Sequence, residues 1–162
     1  MKCMNDTPDW IKRRNAKKKS DSAQSAEDDR QNVEAASLIA AQGPEIWQRF
    51  LKGLAINATA LSKLEGEELV GAVTPIGPPG AEVSCQVNVN RHGLPPQLSS
   101  LVFHYTHRSN AIRVTRMTGE QDFLPFQIAR DGVIGIHYQG QLLSPEQTAE
   151  AVIQRIIDGV TR

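Results

Sequence analysis

Aromatic side chains are scarce in this chain, which has two Trp, two Tyr and four Phe among 162 residues. Phe103 and Tyr105 fall on the apolar side of an alternating segment, so the polar side lacks the rings on which single-strand binders stack bases. There are two cysteines, Cys3 and Cys85. Cys3 falls in a charged tail and Cys85 on the apolar side of an alternating segment, so the pair does not suit the geometry of a disulfide. Two unpaired thiols fit a reducing compartment, and a cytoplasmic protein is expected. Charge of one sign is not in excess, since 18 basic side chains balance 18 acidic ones. No global field draws the protein toward nucleic acid or an anionic surface. No apolar run follows Met1 and none reaches transmembrane length, so neither a secretory signal nor a membrane role is expected.

Catalytic signatures are missing as well. There is no Gly-x-Ser-x-Gly elbow. Gly77-Pro78-Pro79-Gly80 is not a phosphate loop, because it lacks the Lys-Ser/Thr that follows one and its prolines remove backbone donors. His104-Tyr105-Thr106-His107 has the spacing H-x-x-H, but those two histidines face opposite sides of a strand, and no Glu accompanies them. With His92 and His137 they read as surface histidines. No metal and no cofactor is implied.

What the chain does have is alternation. Val83, Cys85, Val87 and Val89 alternate with Ser84, Gln86, Asn88 and Asn90. Leu101, Phe103 and Tyr105 alternate with Val102, His104 and Thr106, and Ile112 and Val114 with Arg113 and Thr115. Successive side chains on a strand point to opposite faces, so these segments describe a sheet with one apolar and one polar face. Leu124, Phe126, Ile128, Ile134, Ile136 and Tyr138 extend the apolar side. Turn residues separate the segments, at His92-Gly93, Ser109-Asn110, Thr118-Gly119, Asp131-Gly132 and Gln139-Gly140. Asp131-Gly132 suggests a two-residue hairpin with positive φ at both positions. Pro125 suggests an edge or a bulge. Gly66 to Gly80 reads as loop, with a short strand at Leu69 to Val73.

Helical spacing flanks the sheet. Residues 27–42 form a weakly amphipathic helix that Gly43-Pro44 ends, and residues 45–64 a stronger one with Trp47, Leu51, Leu54, Ala58 and Leu61 in a stripe. Gly53 within it allows a close contact. Ser144-Pro145-Glu146-Gln147 carries the pattern of a capping box and opens a final helix with Val152, Ile153, Ile156 and Val160 on one side. The expected fold is α+β: a five- or six-stranded antiparallel meander with two N-terminal helices and one C-terminal helix packed on one face. Residues 1–26 are expected to be a mobile charged leader, and residues 27–162 a single domain.

Three candidate surfaces follow. The polar sheet face gathers His104, Arg113, His137 and Asn88, which could bind a small molecule or serve an enzyme. Lys12, Arg13, Arg14, Lys17, Lys18 and Lys19 could contact phosphates without sequence specificity, aided by Arg91, Arg108, Arg113 and Arg116. Trp47, Phe50, Leu51, Leu54 and Leu61 could form an interface with a protein partner or a second copy. The expectation is a non-enzymatic binding or assembly module that self-associates, with nucleic-acid association and a small-molecule or enzymatic role of the polar face as alternatives.

Overall fold

The computed structural model describes residues 7–64 and 68–161. Cys3 and the start of the Gly66–Gly80 segment lie outside them. The chain runs through helix α1 (Asp9–Ala60), a 3-10 turn (Leu61–Lys63), strands β1 (Leu69–Pro75), β2 (Glu82–Val89), β3 (Gln97–His104), β4 (Ala111–Arg116), β5 (Gln121–Ile128), β6 (Ile134–Tyr138) and β7 (Gln141–Leu143), and helix α2 (Pro145–Thr161). No described helix is long and apolar enough to cross a membrane.

The chain divides into two compact units, Met1–Ser37 and Leu38–Arg162. In the first unit, residues from Asp9 onward are helical rather than irregular chain. Ala, Lys, Arg and Gln are good helix formers, and neither Gly nor Pro interrupts positions 9–42. Nearly all of these side chains are exposed. The helix is tied along its own surface, by Arg30 to Glu27 at 2.7 Å, Arg30 to Glu34 at 4.0 Å and Gln24 to Asp28 at 3.0 Å. Such pairs contribute a few tenths of a kcal/mol each, so propensity carries this segment and burial does not.

The second unit holds the core. Its seven strands pair in chain order, β1 to β7, each antiparallel to the next. The sheet exceeds the expected five or six strands because the short segments at both edges, β1 and β7, complete ladders of their own. Period-two spacing sorted the faces correctly. Val83, Cys85, Val87, Val89, Phe103, Ile112, Val114, Leu124, Phe126, Ile134 and Ile136 are all buried.

Gly43-Pro44 does not divide two helices. Helix α1 passes through it, so one N-terminal helix stands where two were expected. Pro44 removes one helical hydrogen bond. The residues that follow it, Ile46, Trp47 and Phe50, are at most 3% exposed, and their burial holds the helix. Gly43 serves a different purpose: a Cβ there would collide with the Tyr105 hydroxyl. Tyr105 in turn stacks against Trp47 at 5.7 Å and lies 6.0 Å from Phe126, while Phe50 meets Phe103 edge-on at 5.2 Å. The few aromatic residues are thus concentrated where α1 crosses β3 and β5. Trp47 Nε1 donates to the Gly80 carbonyl at 2.8 Å, which satisfies its one polar atom.

Glycines also set how closely the helices sit. A Cβ on Gly53 would lie 2.8 Å from Ala149 Cβ, so α1 and α2 touch there. A Cβ on Gly71 would lie 2.7 Å from the Ala58 carbonyl, so the end of α1 rests on β1. The capping box opens α2 as expected, with the Ser144 amide donating to Gln147 Oε1 at 3.0 Å and the Gln147 amide to Ser144 Oγ at 3.1 Å. Arg49 clamps Glu146 with two hydrogen bonds of 2.7 and 2.8 Å, and each partner stabilises the other's charged form. Both ends are about half exposed, so the pair adds under about 1 kcal/mol and weakens with salt.

The hairpin turns differ from expectation in one respect. At Asp131-Gly132 only the glycine has positive φ, 82°, and the Gly132 amide donates to the Ala129 carbonyl at 2.9 Å. This is a longer turn closing on a glycine bulge. Gly119 repeats it, with φ of 87° and a 2.9 Å bond to the Arg116 carbonyl. The two-residue turn with both φ positive is Gln139-Gly140, at 50° and 77°, between β6 and β7.

Cys85 is fully buried in this core, and burial pushes its thiol up to about 11. A raised value favours the neutral thiol in the folded state. Its contribution is therefore complete below the ordinary thiol value near 9 and disappears as pH rises through about 11. At pH 8, in a Cys3→Ser background, Cys85 is expected to react with a disulfide reagent at least ~100-fold slower in the folded chain than in urea. Equal rates would show that the site opens freely.

Candidate functional site

The structure brings two of the four polar-face candidates together. His104 on β3 lies opposite Arg113 on β4, and on its other side opposite Glu82 on β2. His104 Nδ1 is 3.4 Å from the Glu82 carboxylate, and Nε2 is 3.1 Å from Thr106 Oγ1. Glu82 and Thr106 were not anticipated, because only strand register shows that they flank the imidazole. Arg113 Nε is buried without a hydrogen bond. The result is a polar row on an open face, carboxylate–imidazole–guanidinium, ending at the exposed ring of Phe123.

Asn88 and His137 stand apart from that row. Asn88 sits at the far end of β2, between Val70 and Leu98, with its Oδ1 buried and unbonded. His137 is on β6, three strands from His104, or about 14 Å at the usual strand spacing. His92 and His107 are exposed in turns. Among the described residues, no three His, Cys, Asp or Glu side chains gather as a ligand set.

The other two candidate surfaces also change character. Trp47, Phe50, Leu54 and Leu61 are at most 4% exposed, and Leu51 packs against the same core. The stripe covers the chain's own sheet. Lys12, Arg13, Arg14, Lys17, Lys18 and Lys19 are exposed on α1. Neighbouring positions on a helix are about 100° apart, so these six surround the axis instead of forming one stripe.

Among the described residues, a cavity lies elsewhere, on the apolar side of the sheet. It is half-open, measures about 570 Å³ and lies alongside α2, over β3 to β5. Leu101 and Phe103 of β3, Val114 of β4 and Leu124 of β5 form its floor, and Val152 and Ile156 of α2 its roof. Polar groups stand at the rim: Arg116 at the end of β4, Asp122 at the start of β5 and Arg155 on α2. Arg116 meets Asp122 at 3.4 Å. Arg155 has no hydrogen bond or ion pair with any described residue. Apolar walls with a few polar groups in this volume range are the usual make-up of a small-molecule site.

Backbone chemistry explains the opening. The amide of Phe126 donates toward β4, to the Asn110 carbonyl at 2.8 Å. Alternation then turns the nitrogen of Pro125 toward β6, where it has no hydrogen to give. The β5–β6 ladder accordingly stops at Phe126↔Ile136. Beyond that point Phe123 and Pro125 part from His137 and Gly140, and all four line the cavity. Pro125 is thus not in a bulge but at a local edge, with its nitrogen on the side where β5 has lost its partner. It marks where two neighbouring strands separate. His137, chosen for the polar face, reaches the cavity through this split.

Gly159 completes the site. It lies within α2, lines the cavity, and a Cβ added there would meet nothing within 4 Å. Its φ is not positive, so it is not a left-handed cap. Glycine inside a helix costs about 1 kcal/mol relative to alanine. At Gly43, Gly53 and Gly71 a close neighbour explains that cost. Gly159 instead is exposed, at the mouth of the cavity, with open space where a Cβ would stand.

No family model, no curated protein and no solved structure matches this chain.

Proposed function

We propose that this protein is a non-enzymatic binding module, and that its ligand is a small, largely apolar molecule held alongside α2, over β3 to β5. The observation that carries the reading is the cavity of about 570 Å³, walled by Leu101, Phe103, Val114, Leu124, Val152 and Ile156. Filling it removes apolar surface from water at about 25 cal/mol per Å² on both sides, before the cost of association is charged. An assembly role needs another surface, because the Trp47–Leu61 stripe is spent inside the core. Association with nucleic acid has weaker support, since the basic residues surround the helix.

The test uses the neutral dye N-phenyl-1-naphthylamine, whose emission rises in apolar surroundings. A saturable rise is expected, with one dye per chain and a micromolar dissociation constant. Leu101→Glu puts a carboxylate at a partly buried position of the floor, and should weaken binding at least tenfold while the circular dichroism spectrum is unchanged. No saturable binding by the unaltered chain would overturn the reading.

A further inference from the structure

The reading of the cavity leaves its ligand's polar end open, and the rim supplies the chemistry. Two guanidinium groups, Arg116 and Arg155, share the opening with one carboxylate, Asp122. Asp122 already engages Arg116, at 3.4 Å, a long contact between side chains that are 43% and 63% exposed. Arg155 is uncommitted among the described residues. The rim therefore carries one positive charge in excess. A guanidinium meets a carboxylate through two parallel hydrogen bonds, which also fix the direction in which the rest of the ligand points.

Here the direction is set by the walls. Arg155 lies one residue before Ile156 and three after Val152, both of which form the roof. A group held at Arg155 thus leads directly to apolar surface. A dianion such as a phosphate monoester would exceed the single surplus charge and face Asp122. A cation would meet two guanidinium groups. A neutral molecule would leave Arg155 unused.

From these charges and walls, and resting on the binding reading above, we infer that the ligand class is an amphipathic monocarboxylate: an apolar body inside the cavity and one carboxylate at the rim, held by Arg155 with Arg116 beside it. Gly159, one helical turn beyond Arg155, keeps the passage open for the apolar body.

The experiment displaces N-phenyl-1-naphthylamine from the full chain with decanoate, decanol and decyltrimethylammonium, which share one tail and differ in the head. Decanoate is expected to displace the dye at a concentration at least tenfold below decanol, with the cation weakest. Arg155→Gln should shrink the decanoate–decanol gap to within threefold while leaving decanol unchanged, and Arg116→Gln should shrink it less. Raising the salt should narrow the gap in the unaltered chain alone. Decanol equal to decanoate, or a gap that survives Arg155→Gln, would overturn the inference yet leave the apolar cavity standing. A dye that never binds would remove the site itself.

Discussion

Gly43→Ala is expected to lower the unfolding free energy by about 2–3 kcal/mol, although alanine is the better helix former by about 1 kcal/mol. The added methyl falls on the Tyr105 hydroxyl. That ring cannot swing aside, because Trp47 stacks on it at 5.7 Å and Phe126 holds its other flank at 6.0 Å. The Tyr105 hydroxyl makes no hydrogen bond of good geometry, and burial raises its pKa, with the Arg108 backbone offsetting part of that. Removing the hydroxyl costs little, so Tyr105→Phe alone should change stability by less than about 1 kcal/mol. In the Tyr105→Phe background, Gly43→Ala should lose most of its penalty, giving an interaction energy near 2 kcal/mol in a double-mutant cycle. Urea unfolding of the four proteins measures it. An interaction energy near zero would mean that Gly43 is needed for the path of the helix around Pro44 and not for Tyr105.

Gly159→Trp should abolish dye binding, by at least thirtyfold, and leave the fold intact. The direction is unusual for so large a substitution. An indole placed where a Cβ meets nothing has room to enter the cavity, and it occupies the volume a ligand would use. The helix gains propensity at the same time. Gly159→Ala separates the two effects, because it restores helix propensity while adding a single methyl. It should raise stability by about 0.5–1 kcal/mol and weaken the dye less than threefold. Thermal unfolding and dye titration on both variants read the two quantities. A Gly159→Trp chain that binds normally would show that the passage lies elsewhere; one that unfolds would show that Gly159 meets a packing need.

The sheet was legible because period two is a local property. Each of β2, β3 and β4 announces its faces through its own residues, and the buried set matches that reading from Val83 to Ile136. The capping box at Ser144 and Gln147 was legible for the same reason, since its bonds close within four residues. Gly43-Pro44 was misread because the cause of the glycine lies just past β3, at Tyr105, and no local pattern reports it. The site was largely illegible. Glu82 reaches His104 only through register. The cavity is a gap between elements, so no residue pattern encodes it. Two signals existed nonetheless. Pro125 in a strand and Gly159 in a helix each contradict the local rule, and both border the cavity.

Strand order equal to chain order has a kinetic consequence. Each hairpin can zip onto the one before it without searching distant chain, so loop closure stays short throughout the sheet. The costly long-range step is the meeting of the two helices, where Arg49 and Glu146 are 97 residues apart. The barrier to folding should therefore sit at that meeting, with the meander already assembled and its greasy side still awaiting cover.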